Sequence, residues 1–205
     1  NMEVLLNWPS LKYIKQNTKY ENYLKDFKKN KLMGVYIGNN SSAHDFDRSR
    51  QFYLKNKFKD DLNLNINLFV NKVNQVSSIN KVHEIFYDQI NHLILPNIMH
   101  HFNFGIVSLN NNLITQNIPG KFVTYLQFNL PVLAFSNKGS TISSLVLQYD
   151  CGINIDLNDE TKLNVIKFEK FLTKLLSNYY KNQSRLLFNK KFSTEKVTTQ
   201  ILKKF

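Results

Sequence analysis

The chain is poor in the residues that cross-link or punctuate a fold. It has one cysteine, Cys151, so no disulfide can close within it, and a reducing compartment is expected. Its four prolines and six glycines are too scattered to make a Pro-rich or Gly/Ser-rich linker. No apolar run approaches the roughly 18 residues that suggest a membrane span. The start, Asn1-Met2-Glu3-Val4, lacks the basic and apolar regions of a signal peptide, so a cytoplasmic location is expected. No G-x-S-x-G elbow is present, which argues against a serine hydrolase. The five histidines show no metal-ligand spacing to a carboxylate or cysteine, and His100 and His101 are expected to point apart on a helix. Asp45 and Asp47 do not form a sugar-metal D-x-D motif at a strand end. Neither a metal nor a cofactor is expected.

Arginine is also scarce. Of the 27 basic residues only Arg48, Arg50 and Arg185 are arginine, and the net charge is +12. Three readings stay open: a solubilising surface, nucleic acid, or an anionic membrane surface, where each nearby lysine adds about 1 kcal/mol. Nucleic acid is disfavoured, because bidentate phosphate and base recognition favours arginine and no RNA- or DNA-binding signature appears. Lysines crowd the first 31 residues and the segment from Lys181 to Lys204, a placement that suits peripheral contact with the inner face of a membrane. Abundant lysine and asparagine also fit an AT-rich genome.

At 205 residues the chain can bury roughly 70% of its unfolded surface in one domain. Residues 1–31 read as an interdomain segment and 32–205 as the domain. Leu32 to Ile37 is a short apolar run ending at Gly38, Asn39 and Asn40, a buried strand and turn. A helix follows over about 45–59, with Asp45 or Ser42 as cap. Leu62 to Val70 alternates apolar residues with asparagines, as a strand does. Residues 71–91 are less clear, apart from a strand over Val82 to Tyr87. Leu93 to Phe102 is a short helix with Pro96 in its first turn, and Phe104 to Leu109 is another buried strand. Helix 119–129, strand 131–135, helix 140–149 and strand 152–155 complete the alternation. The last forty residues carry helical periodicity, with Val165, Phe168, Phe171, Leu172, Leu175 and Leu176 on one stripe. The expected fold is α/β: a Rossmann-like open parallel sheet with helices on both faces.

The most informative stretch runs from Asn117 to Asp156. In a doubly wound fold its order of turn, helix, strand, Gly-containing loop, helix and strand sets two loops over one crevice at the carboxyl edge of the sheet. Gly120, Lys121, Tyr125, Leu126, Pro131 and Val132 resemble the donor-sugar-binding half of the GT-B glycosyltransferases, family-4-like group, whose motif reads SK-x-x-E-Y-L-x-x-G-x-P-V-I. Within that group the run from Asn117 to Ser140 is similar to O-antigen N-acetyl-L-fucosamine transferases. So are FGIVSLN at Phe104, FSTEKVTTQIL at Phe192 and EVLLNWP at Glu3. The resemblance covers nearly the whole chain and implies the C-terminal half of a GT-B enzyme, with the N-terminal acceptor domain absent from this chain. It implies transfer of a sugar from a nucleotide-sugar donor, UDP-linked, to a saccharide or lipid-linked acceptor in surface polysaccharide or lipopolysaccharide synthesis. The chain departs from the family at Thr124, where a ribose-binding carboxylate is usual, and at Gly139-Ser140-Thr141. Arg48 is the nearest counterpart of the basic residues that follow the first Gly loop.

Under that resemblance Lys121 meets the donor pyrophosphate; a cation beside a helix N-terminus is a sound anion site. Gly120 lets the backbone come close to phosphate, and Asn117 is placed to reach the sugar. Asn137, Gly139 and Ser140 form a second phosphate-facing loop, in which Ser140 or Thr141 also caps the next helix. Gly38 and Asn39 face the interdomain cleft. Tyr125 shares the helix face of Lys121 one turn on and suits packing as well as ligand contact. No catalytic residue is assigned, since a general base is expected from the absent half. An alternative of another class is a non-catalytic nucleotide- or anion-binding module on the same fold.

Overall fold

The computed structural model describes residues 32–38, 43–56, 64–70, 76–79, 82–112 and 116–202. The expected segment 1–31, Asn39 and Ser42 lie outside these residues. Strand β1 (Leu32–Ile37) leads to helix α1 (Phe46–Lys55), β2 (Leu64–Phe69), β3 (Val76–Ile79) and β4 (Val82–Tyr87). A broken helical segment follows, with α2 (Leu95–Ile98) between two 3-10 turns. Then come β5 (Phe104–Ser108), α3 (Gly120–Gln127), β6 (Val132–Phe135), α4 (Thr141–Tyr149) and β7 (Gly152–Ile155). The chain ends on α5 (Thr161–Lys174), α6 (Tyr179–Lys191) and α7 (Thr194–Leu202).

The strands form one sheet in the order β3-β4-β2-β1-β5-β6-β7, parallel except for β3, which pairs antiparallel with β4 at one edge. The expected open parallel sheet is therefore present, with one antiparallel strand added. From β1 the chain builds outward through β2 to β4, then returns to the other side of β1 and builds through β5 to β7. The order reverses between β1 and β5, and in open α/β sheets ligands bind in the crevice outside the carboxyl ends of the strands at such a reversal.

Period-two alternation splits the central strands between two cores. Val35, Val107, Val132 and Ala134 face a core closed by α2, α3, α4 and α6. Tyr36, Ile106, Leu133 and Phe135 face a core closed by α1 and α5, where Phe104, Phe168 and Phe171 also pack. In β2 the alternating asparagines do not mark a wet face, because β2 lies inside the sheet and is buried on both sides. Asn67 is satisfied there: its amide donates to the Gly34 carbonyl (3.3 Å) and accepts from the Tyr87 hydroxyl (3.3 Å).

Two local expectations change. Asp45 occupies the N-cap of α1 but makes no side-chain cap bond, because its backbone is left-handed (φ 43°) rather than extended. His100 and His101 do not point apart. The helix tightens into a 3-10 turn there, and the two rings lean together with centroids 3.9 Å apart.

Candidate functional site

The carboxyl ends of β1 and β5 and the start of α3 meet at the reversal. β1 is followed by Gly38, whose φ of 136° lies where side chains are rarely found, and whose N–H donates to the Phe69 carbonyl (3.2 Å). A Cβ on Gly38 would sit 2.9 Å from Lys121 Nζ. Gly38 and Lys121, 83 residues apart in sequence, are thus brought together, as expected for residues of one site.

Lys121 is the second residue of α3, and no side chain caps that helix. Its ammonium lies 4.2 Å from the centroid of the Tyr36 ring, buried and without a hydrogen-bond partner. Burial pulls its pKa down from 10.5 to about 8. The Tyr36 ring stacks on Phe46 at 3.9 Å, which fixes the platform under the ammonium. A partly desolvated cation beside the free N–H groups of a helix start attracts an anion.

The remaining expected residues divide. Gly120 opens α3, is exposed, and would meet no neighbour if it carried a Cβ, so packing makes no demand for glycine there. Asn117 is exposed on the approach to α3. Tyr125 is corrected as a ligand contact, because it is fully buried and its hydroxyl accepts the Ile37 N–H at 3.1 Å. It ties α3 to the end of β1, and Gly105 of β5 is needed because a Cβ there would run into the Tyr125 ring.

The second loop is largely self-satisfied. Asn137 donates to the Asn111 carbonyl (3.2 Å) and accepts the Gly139 N–H (2.8 Å). Ser140 is fully buried and caps α4 as expected, accepting the Ser143 N–H at 3.1 Å. Its hydroxyl also meets that of Ser136 at 2.9 Å, so the side chain of Ser140 is closed to a ligand.

Arg48 does not approach Lys121. Its guanidinium donates to the Leu157 carbonyl (3.1 Å) and to Asn158 (3.0 Å), at the turn after β7. Beside that turn, burial works against ionisation of Asp156. The N–H groups of Asn158 and Lys138 and the Asn111 amide outweigh burial and hold its carboxyl below the usual range.

Sequence reasoning missed Tyr36 and His44. The segment before α1 is pinned to the end of β5: the Asn110 N–H donates to the Ala43 carbonyl (2.9 Å), and the Ser108 hydroxyl to the His44 carbonyl (2.5 Å). This sets His44 close enough to Lys121 for the two to repel when charged. Neither residue stands out in a recognisable motif. A cavity of about 420 Å³ lies elsewhere, beside edge strand β7, lined in part by Lys138, Leu147, Ile153, Asp159 and Lys167.

No family model and no curated protein matches the chain. Solved structures do. WaaG, a glycosyltransferase involved in lipopolysaccharide biosynthesis, superposes with a TM-score of 0.64 at 14% identity, over 96% of this chain and 54% of its own. HepE of Anabaena, solved in complex with UDP-glucose, gives 0.59 at 10% identity, over 85% of this chain and 48% of its own. The chain shares its fold with part of each of these structures. The catalytic domain of cholesterol-α-glucosyltransferase from Helicobacter pylori matches at 0.55 and 11% identity, over 77% of this chain and 98% of that domain. The chain spans about half the length of WaaG and HepE. Among the described residues, no group of three or more His, Cys, Asp or Glu side chains could hold a metal ion, and no helix is long and apolar enough to cross a membrane.

Proposed function

We propose that this chain is the donor-binding, C-terminal half of a GT-B glycosyltransferase. The reading has it hold a UDP-linked sugar for transfer to a saccharide or lipid-linked acceptor in the synthesis of surface polysaccharide or lipopolysaccharide. The observation that carries the reading is the buried, unbonded ammonium of Lys121, set at the sheet reversal beside the uncapped start of α3. There it would stabilise the charge that develops on the leaving diphosphate, a positional and electrostatic role that needs no bond to the protein. Among the expected site residues Gly38, Gly120 and Asn117 lie on this crevice or its approach, while Tyr125 positions the helix. A general base would come from the other half of the enzyme, so this half alone binds nucleotide weakly and catalyses little.

Contact with an anionic membrane is part of the same reading. The outer stripe of α5 sets exposed Leu163 and Ile166 among exposed Lys162, Lys170 and Lys174. Basic and apolar side chains on one exposed helix face suit an interfacial surface.

The test is titration with UDP, GDP and ADP, followed by amide chemical shifts. The expected result is a preference for UDP, with Gly38, Gly120 and Lys121 moving. UDP that binds while shifting other residues, or leaves these unmoved at millimolar concentration, overturns the reading.

A further inference from the structure

Edge strand β7 is open on its outer side. The Val132 N–H donates to the Cys151 carbonyl (3.0 Å) and the Ser136 N–H to the Ile155 carbonyl (3.2 Å), so Cys151, Ile153 and Ile155 turn their backbone groups toward β6. Strand alternation turns those of Gly152 and Asn154 outward, where no further strand follows among the described residues. β7 carries neither a proline nor a bulge, the devices that commonly blunt an edge. The cavity of about 420 Å³ runs along this edge. Ser143, Val146 and Leu147 of α4 form a stripe along one wall, at spacings that share a helix face, and Asp150 closes it at the amino end of β7. Leu147 is 84% exposed, more than any other large apolar side chain described. On a chain of net charge +12 the groove is lined by two lysines and three aspartates, so it is a slightly acidic strip on a basic protein.

We propose that this edge joins two copies of the chain, β7 against β7, antiparallel about a two-fold axis at Ile153. A two-fold contact must be self-complementary, and this groove is so in three respects. Gly152 of one copy faces Asn154 of the other, and each donates its N–H and accepts at its carbonyl, so every outward backbone group of β7 finds a partner. The antiparallel arrangement also sets the Asp150 end of one groove beside the Lys138 end of the other; Lys138 lies past the carboxyl end of β7, where its N–H bonds Asp156. It lays the exposed Leu147 of each copy toward the partner's α4 stripe. The strip is where two strongly basic chains meet with least repulsion. Lys167 of α5 works against the contact, because the axis brings both copies of it to the same side of the sheet, so association should strengthen with salt. β5 and β6 separate this edge from the reversal, so pairing leaves the donor crevice open and stands independently of the donor-site reading. The axis runs perpendicular to the sheet. The α5 helices of the two copies therefore lie on one face, and their basic stripes would meet a membrane together.

The experiment is sedimentation velocity of the full chain, from micromolar to near-millimolar concentration, at moderate and high salt. The expected result is a species of twice 24.1 kDa that grows with concentration and with salt. Leu147→Lys changes an exposed side chain that the core does not use, and should weaken the dimer at least about tenfold by burying an unpaired charge at the contact. Ile153→Cys reads the register. Residues on the axis form a non-hydrogen-bonded pair with Cα atoms about 4.5 Å apart, within reach of a disulfide. This variant should cross-link to the dimer under mild oxidation, whereas the wild-type chain, whose only cysteine is the buried Cys151, should not. A chain that stays monomeric throughout, a dimer that Leu147→Lys leaves intact, a dimer that Ile153→Cys does not cross-link, or growth into open-ended assemblies would each overturn the inference.

Discussion

Lys121→Met is expected to make the protein more stable and less able to bind its ligand. In the folded chain the Lys121 pKa is about 8, against 10.5 for an unperturbed lysine. At about 1.4 kcal/mol per pH unit, holding this ammonium charged in the fold costs about 3 kcal/mol. The Tyr36 ring at 4.2 Å returns about 1 kcal/mol of that, and methionine would keep the packing of the stem without the charge. The net gain in the variant at neutral pH is therefore about 2 kcal/mol. The sign with pH follows from the depressed pKa. The penalty is complete below about pH 8 and is relieved as pH rises toward 10.5, because there the unfolded chain holds a proton that the folded chain has released. Wild-type stability should thus climb relative to the variant between about pH 8 and pH 10.5. Urea denaturation of both proteins at several pH values measures the difference directly, and UDP titration of the same samples should show affinity reduced at least about tenfold. A variant less stable than wild type at pH 7, or a stability difference that does not change with pH, would refute the claim that Lys121 carries an uncompensated charge.

Tyr125→Phe should cost about 1 kcal/mol in denaturant melts, since it removes the hydroxyl that accepts the partly buried Ile37 N–H, while UDP affinity stays within a few-fold of wild type because Tyr125 is fully buried. Glu84→Gln should destabilise by about 2–3 kcal/mol. The fully buried carboxylate accepts two bonds from Arg50 Nε (2.8 and 2.9 Å), one from Nη2 (2.6 Å) and one from the Tyr53 hydroxyl (3.0 Å), and the Arg50 side chain is 29% exposed. Ser140→Ala should lower stability by about 1 kcal/mol through loss of the α4 cap, measured by thermal unfolding. Replacing Lys162, Lys170 and Lys174 by Gln should abolish sedimentation with vesicles of anionic lipid at low salt; unchanged sedimentation would show that the α5 stripe is not a membrane contact.

The alternation of strands and helices was legible because local periodicity reports it. LMGVYI, FGIVS and VLAF are short apolar runs between turn residues, and all three became central strands. What stayed hidden depended on pairing. β3 is a four-residue edge strand whose place is set by its partner β4. The asparagines of β2 alternate as in a strand, and only the sheet order shows that Asn65 and Asn67 are buried. At the site, the capping by Ser140 was legible from helix-start chemistry, and Lys121 was singled out by the family resemblance. His44 and Tyr36 were not, because they reach the crevice through contacts with Ser108, Phe46 and Lys121, each made across a sequence gap that no pattern spans.

Charge pairing favours the reversal over the cavity beside β7 as a place for the proposed anion. At the cavity Lys138 is bonded to Asp159 at 2.7 Å, and the neighbouring start of α4 is capped by Ser140. An anion there would have to displace bonds already made. At the reversal the starts of α1 and α3 have no side-chain cap, and the Lys121 ammonium has no hydrogen bond to give up. The first contacts an anion makes there offset a desolvation cost that folding has already incurred. Preorganised donors of this kind favour binding, because nothing need rearrange when charge arrives.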